Sequence, residues 1–164
     1  MKRFFSCLLI VLFVLSLTGC GNSVSDYTDF YYCNIEYPFG KDGSVIVSET
    51  RDITGHKGEL SYLISLYLAG PSSKNLESPF PNNVKLVSAQ VEENCTTIEL
   101  SSFSRQLSDS EMVLACACLS LSAMEITGTE EVTIVSGEKN ITMNKNDLLL
   151  FDTVTAAEVT EEAK

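Results

Sequence analysis

The first twenty residues limit what the rest of this chain can become. Met1, Lys2 and Arg3 are a short start with two basic side chains, and residues 4–17 read FFSCLLIVLFVLSL, an almost unbroken apolar run. A helix through that run would be roughly 21 Å long at about 1.5 Å per residue. A hydrocarbon core of about 30 Å needs more, so the run is a poor permanent span. A basic start, a short apolar stretch and small residues after it read as an export signal that is removed, occupying residues 1–19. The fold must then be built from residue 20 onward.

The end of the run is more specific. Leu17-Thr18-Gly19-Cys20 reads LTGC and resembles the lipobox of bacterial lipoproteins. In such proteins the cysteine thiol takes up a diacylglyceryl group, with acyl chains of the palmitate kind, and cleavage leaves that cysteine first. The resemblance implies lipid attachment at Cys20 and a membrane partner held through it. One acyl chain anchors marginally, at about 0.8 kcal/mol per buried CH₂, and two hold durably. An ordinary signal peptide, with Cys20 merely following a small residue, is the alternative.

The formal charge of −11 comes from 22 acidic against 11 basic residues, and loss of Lys2 and Arg3 makes the remainder more acidic still. Nucleic acid is excluded as a partner, because phosphate contacts need a basic face. An anionic lipid surface repels such a body, so acyl chains would anchor it and the fold would stand off the membrane. Residues 20–28, with the small polar stretch GNSVS, suit a short lipidated tether.

Past Cys20, four cysteines remain: Cys33, Cys95, Cys116 and Cys118. An exported chain can oxidise its thiols, so one or two disulfides are open to it. Cys116-Ala117-Cys118 is neither a metal nor a redox spacing, and on a helix residues i and i+2 point apart, so these two cannot bridge each other. Small buried hydrophobes in an apolar helix are the simpler expectation.

Along the chain, strand and helix signals alternate. Residues 29–37 are rich in aromatics and predict a strand, Pro38 to Gly43 a turn, and residues 44–51 a second strand. Residues 59–69 place Leu60, Leu63, Ile64 and Tyr67 on one helical face, and Gly70-Pro71 stops that helix. Residues 71–83 are a loop with three prolines. Runs 84–91 and 95–100 predict a hairpin across Glu92-Glu93-Asn94. Ser108 with Glu111 forms a capping box for a helix to about Met124, apolar nearly all round and therefore buried. Residues 132–135 and 141–143 are strands joined by a turn, and 156–164 is an acidic tail. The expected class is α+β: a small mixed, mostly antiparallel sheet with two helices packed on one face.

The search for chemistry finds little. His56 is the only histidine and sits between glycines, so histidine-rich zinc sites are excluded by count and no G-x-S-x-G elbow offers it a nucleophile. It reads as a surface residue. Glu92-Glu93 and Glu130-Glu131 are adjacent pairs in turns and read as solvated. No phosphate loop or calcium loop occurs. Tyr31, Tyr32 and Tyr37 lie on one predicted strand; an aromatic carbohydrate platform is conceivable there, and core packing is the stronger expectation. No metal and no cofactor is expected.

Four pieces in order resemble the GerMN domain of sporulation and spore-germination proteins of Gram-positive bacteria. Glu49-Thr50-Arg51 matches an E-x-R that closes an early strand. Leu66 to Pro71 (LYLAGP) matches a helix ending in L-x-x-G-P. Ser78 to Leu86 (SPFPNNVKL), with Pro81, matches S-x-I-P-x-G-T-x-L. Ile98 to Phe103 (IELSSF), with Ser101, matches V-D-L-S-x-x-F. The sequence departs from the pattern at Phe80, at Asn83 where Gly is preferred, and at Glu99. Asn tolerates positive φ better than most residues. One copy fits, over residues 29–143, and 144–164 is a C-terminal extension.

The resemblance implies a non-catalytic binding or scaffolding module of the cell envelope, linked to sporulation or germination, with an envelope protein as partner and the extracytoplasmic face of the cell membrane as its place. A small-ligand or cell-wall-fragment receptor is the alternative, and an envelope-remodelling enzyme a more distant one. Glu49 and Arg51, two apart on a strand, share a face. They read as a solvated pair worth ~0–1 kcal/mol, or else as a functional surface. Ser101, at a strand end, reads as a turn cap.

Overall fold

The first strand shows its two faces in its burial. In β1 (Tyr27–Asn34), Thr28, Phe30, Tyr32 and Asn34 are buried and the residues between them are not. That period of two sets one face against a core. The computed structural model describes residues 26–35, 45–103, 105–148 and 153–155. The expected export signal, Leu17, Thr18, Gly19, Cys20, most of the tether, residues 36–44 with Tyr37 and the expected turn from Pro38 to Gly43, and the acidic tail lie outside them.

β1 pairs antiparallel with β2 (Ile46–Asp52), in a register that sets Phe30 opposite Glu49. On its other side β1 takes the two-residue β3 (Leu76–Glu77), again antiparallel. A short β8 (Thr153–Thr155) runs parallel to β2, so the sheet order is β3-β1-β2-β8. The second sheet is β4-β5-β6-β7, built from β4 (Leu86–Glu92), β5 (Cys95–Leu100), β6 (Glu131–Ser136) and β7 (Lys139–Asn144). Its two hairpins are antiparallel, and β5 and β6 run parallel. Parallel neighbours need a crossover, and α2 (Asp109–Thr127) supplies it. The class is the expected α+β, mostly antiparallel, with its strands shared between two four-stranded sheets. Among the described residues α1 (Leu60–Leu68) and α3 (Lys145–Leu148) complete the helices.

The predicted capping box at the start of α2 is present. Ser108 Oγ accepts the Glu111 N–H at 3.4 Å, and the Glu111 carboxylate accepts the Ser108 N–H at 2.8 Å. The helix runs past Met124 to Thr127, because its stop is Gly128 at φ 73°, whose N–H returns to the Met124 carbonyl at 2.8 Å. Burial is nearly all round, with residues from Ala115 to Ser120 consecutively buried. The tertiary reason is that α2 is packed by β1 from one sheet, by β5, β6 and β7 from the other, and by α1. Cys116 and Cys118 therefore point to different sides of the helix and are both buried, as expected of small apolar residues in its place.

A row of rings crosses the junction of the sheets. Tyr67 of α1 stacks on Tyr32 at 4.9 Å between centroids and lies 6.2 Å from Phe30. Phe80 meets Tyr67 edge-on at 6.3 Å, and Phe103, just past β5, meets Phe80 edge-on at 5.1 Å. Phe80 thus stands where the family pattern prefers an aliphatic because here the gap between α1 and β5 is filled by a ring. Such edge-on pairs add about 0.5–1.5 kcal/mol beyond their area.

Two local expectations change. Asn83 has no need of its tolerance for positive φ: among the described non-glycine residues the one at positive φ is Glu93, at 54°, in the tight turn between β4 and β5. The loop expected over 71–83 contains β3, which its prolines leave room for at Leu76–Glu77.

Candidate functional site

Four of the family-motif residues, Glu49, Arg51, Gly70 and Pro71, come together at the C-terminal end of α1. Gly70 follows the helix at φ 95°, a left-handed conformation that glycine adopts without a Cβ penalty. The Gly70 carbonyl accepts a hydrogen bond from Arg51 Nη2 at 2.7 Å. The chain then passes through Pro71, and the N–H groups of Ser72 and Ser73 both donate to the Glu49 carboxylate at 3.0 Å. Arg51 Nε closes the cycle on Glu49 Oε1 at 2.7 Å.

The solvated-pair expectation for Glu49 and Arg51 is therefore corrected. Glu49 is 8% exposed, and the Arg51 guanidinium lies over the Phe30 and Tyr32 rings at 5.4 and 5.6 Å. Both side chains share a face of β2, as their spacing requires, but α1 and the loop after it cover that face. Burial pushes the Glu49 carboxyl up, yet the hydrogen bonds from Ser73, Arg51 and Ser72 and the Arg51 charge outweigh it, holding the group below its ordinary value. What the sequence missed is that Ser72 and Ser73, directly after Gly70-Pro71, are the donors. Two serines after a helix-stopping Gly-Pro, in a chain carrying an E-x-R, were the available signal.

Ser101, expected to cap a turn, instead bridges to the segment that leads into β4. Its Oγ accepts the Lys85 N–H at 2.9 Å, and its N–H donates to the Lys85 carbonyl at 2.9 Å. Two residues on, the Phe103 N–H donates to Ser136 Oγ at 3.2 Å. The segment after β5 is thus stitched to the starts and ends of its neighbours, which seats Phe103 in the ring row. Pro81 opens a turn closed by the Val84 N–H on the Pro81 carbonyl at 3.0 Å.

Gly70, Pro71 and Pro81 come together on the wall of a groove of about 460 Å³, with Phe80 and Asn82 beside them. A second groove of about 500 Å³ lies across the Ser78 to Pro81 segment and is lined by Cys33, Glu77, Leu107 and Leu114. Glu49, Arg51 and Ser101 line neither groove. Apart from the Cys33 thiol, these walls offer contact surface. Among the described residues no three His, Cys, Asp or Glu side chains converge in a way that could hold a metal ion. His56 is half-buried, 3.1 Å from the Glu59 carboxylate, and stacks on Tyr62 at 3.8 Å between centroids. Glu92, Glu93, Glu130 and Glu131 are exposed. Tyr32 is buried in the ring row, and its hydroxyl donates to the Tyr67 carbonyl at 3.1 Å, so it offers no carbohydrate platform.

Residues 30–142 match the model of the Germane family, described as sporulation and spore germination. Among solved structures, the tandem GerMN domains of the sporulation protein GerM from Bacillus subtilis superpose with a TM-score of 0.53 at 19% identity, over 74% of this chain and 43% of that one. The first GerMN domain of the same protein gives a TM-score of 0.55 at 9% identity, over 71% of this chain and 86% of that one. The chain thus spans less than half of the tandem structure, and at these identities the likeness is one of fold. No curated protein matches.

Proposed function

We propose, from the premise that this chain belongs to the Germane family of sporulation and spore-germination domains, that it works as a lipid-anchored, non-catalytic binding module on the outer face of the cell membrane. The observation that carries this reading is the use the fold makes of its motif residues. Glu49, Arg51 and the Gly70 turn hold one another, and Ser101 holds the backbone at Lys85, which leaves Gly70, Pro71 and Pro81 to shape a groove wall. Residues that serve geometry in this way support recognition better than turnover. The LTGC ending at Cys20 supports two-chain anchoring. The acidic composition supports a body standing off anionic lipid and meeting an envelope protein there.

Two experiments test the reading. A Cys20→Ala chain should appear in the medium, and unchanged membrane retention would oppose the anchor. A photo-crosslinker placed at Asn82, exposed on the groove wall, should yield a discrete adduct with an envelope protein in intact cells. Turnover of cell-wall material by the purified chain would contradict the non-catalytic reading.

A further inference from the structure

The cysteine that the helix spacing ignores is the one opposite it in space. The Tyr31 N–H donates to Ser122 Oγ at 2.8 Å, which fixes the register of β1 along α2. Two residues further along the strand cover roughly 6.6 Å. Four residues back along the helix cover roughly 6 Å on the same face. Those two steps bring Cys33 to Cys118, whose thiols lie within reach of each other.

The two sulfurs differ in access. Cys33 is half-buried and lines the groove of about 500 Å³, so a reagent can reach it from outside. Cys118 is fully buried behind it. The hydroxyl of buried Tyr67 has no hydrogen-bond partner among the described residues and lies in electrostatic range of both sulfurs, Cys118 first. All four described cysteines are free thiols.

The geometry points to Cys33 and Cys118 as a reversible dithiol site, with Cys33 as the attacking sulfur, Cys118 as the resolving one, and a disulfide-bearing oxidant entering by the groove as the substrate class. The hydrogen bond from Cys118 lowers the Cys33 thiol below its ordinary range, against burial and the Glu77 charge. Burial raises Cys118 well above its own. The more acidic thiol is thus the one that can be reached, as thiolate attack requires.

The Cys33 thiolate attacks one sulfur of R–S–S–R, forming Cys33–S–S–R and releasing one R–S⁻. Cys118 loses its proton to that thiolate and attacks the Cys33 sulfur, expelling the second R–S⁻, which takes up the proton first lost by Cys33. The pair gives up two electrons and two protons, and the oxidant leaves as two R–SH. The new bond ties β1 to α2, the contact between the first sheet and the core helix.

The site is independent of the binding reading. The test treats the full chain, in detergent, with hydroxyethyl disulfide, then alkylates and maps the thiols by mass spectrometry. The wild type should lose two hydrogens as a Cys33–Cys118 link, with Cys116 remaining alkylatable on denaturation. Cys118→Ala should stop at a mixed disulfide on Cys33, and Cys33→Ser should leave Cys118 unmodified. A wild-type chain that keeps a persistent mixed disulfide on Cys33, links other cysteines, or leaves Cys33 and Cys118 unreacted would overturn the proposal.

Discussion

Arg51→Ala removes the cation that the end of α1 and the strand below it share. The guanidinium makes hydrogen bonds of 2.7 Å to both Glu49 and the Gly70 carbonyl and covers two aromatic rings. Truncation leaves Glu49 at 8% exposure with its countercharge gone. Removing one partner of a buried pair costs about 3–5 kcal/mol. The N–H groups of Ser72 and Ser73 still serve the carboxylate, so the lower end, about 3 kcal/mol, is expected. With a urea dependence of about 1.5 kcal/mol per M, the unfolding midpoint should fall by about 2 M. The assay is urea unfolding followed by far-UV circular dichroism at neutral pH, with the slope compared between variants. The double variant Glu49→Leu/Arg51→Met leaves no unpaired charge and should recover much of the loss. If Arg51→Ala moves the midpoint by less than about 0.5 M, the pair behaves as an exposed one and the reasoning fails.

Three further outcomes follow from the same geometry. The Glu49 carboxyl is held below its ordinary value. Its stabilisation is therefore complete above the unfolded value of about 4.3 and is lost as pH falls through the lower folded value. A urea-midpoint series in acid should slope less for Glu49→Gln than for the wild type below about pH 4.3. Gly70→Ala should lower stability by about 1–3 kcal/mol in thermal unfolding. An added Cβ there meets nothing within 4 Å, so the cost is that of φ +95° alone. Ser108→Ala should remove about 1 kcal/mol by unfolding the capping box, whereas Ser108→Gly should cost a few tenths; equal losses in calorimetry would deny the cap its role.

Much of this fold was legible because its signals are local. Ser108 and Glu111 are three apart and cap a helix whatever surrounds it. Gly70-Pro71 stops α1 through its own backbone. Residues 95–100 carry strand chemistry and form β5 at those bounds. Where the reading fell short, the partner was remote. Glu49 takes its backbone donors from 23 and 24 residues away, and no pattern in SVIVSETR reports that α1 will cover it. The thiol pair is harder still: Cys118 has a cysteine two residues away that it cannot reach, and the one it touches lies in another element.

The amino-acid sequence by itself determined most element types, the start of α2, the stop of α1, the acidic character and the order of family motifs, since each depends on side chains within a turn or two of one another. Only the tertiary structure decided that α2 is packed by both sheets, that the Glu49–Arg51 pair faces inward, and that Cys33 meets Cys118. Burial and pairing depend on which distant surfaces come together. A strand's period says which residues share a face, but not what will cover it.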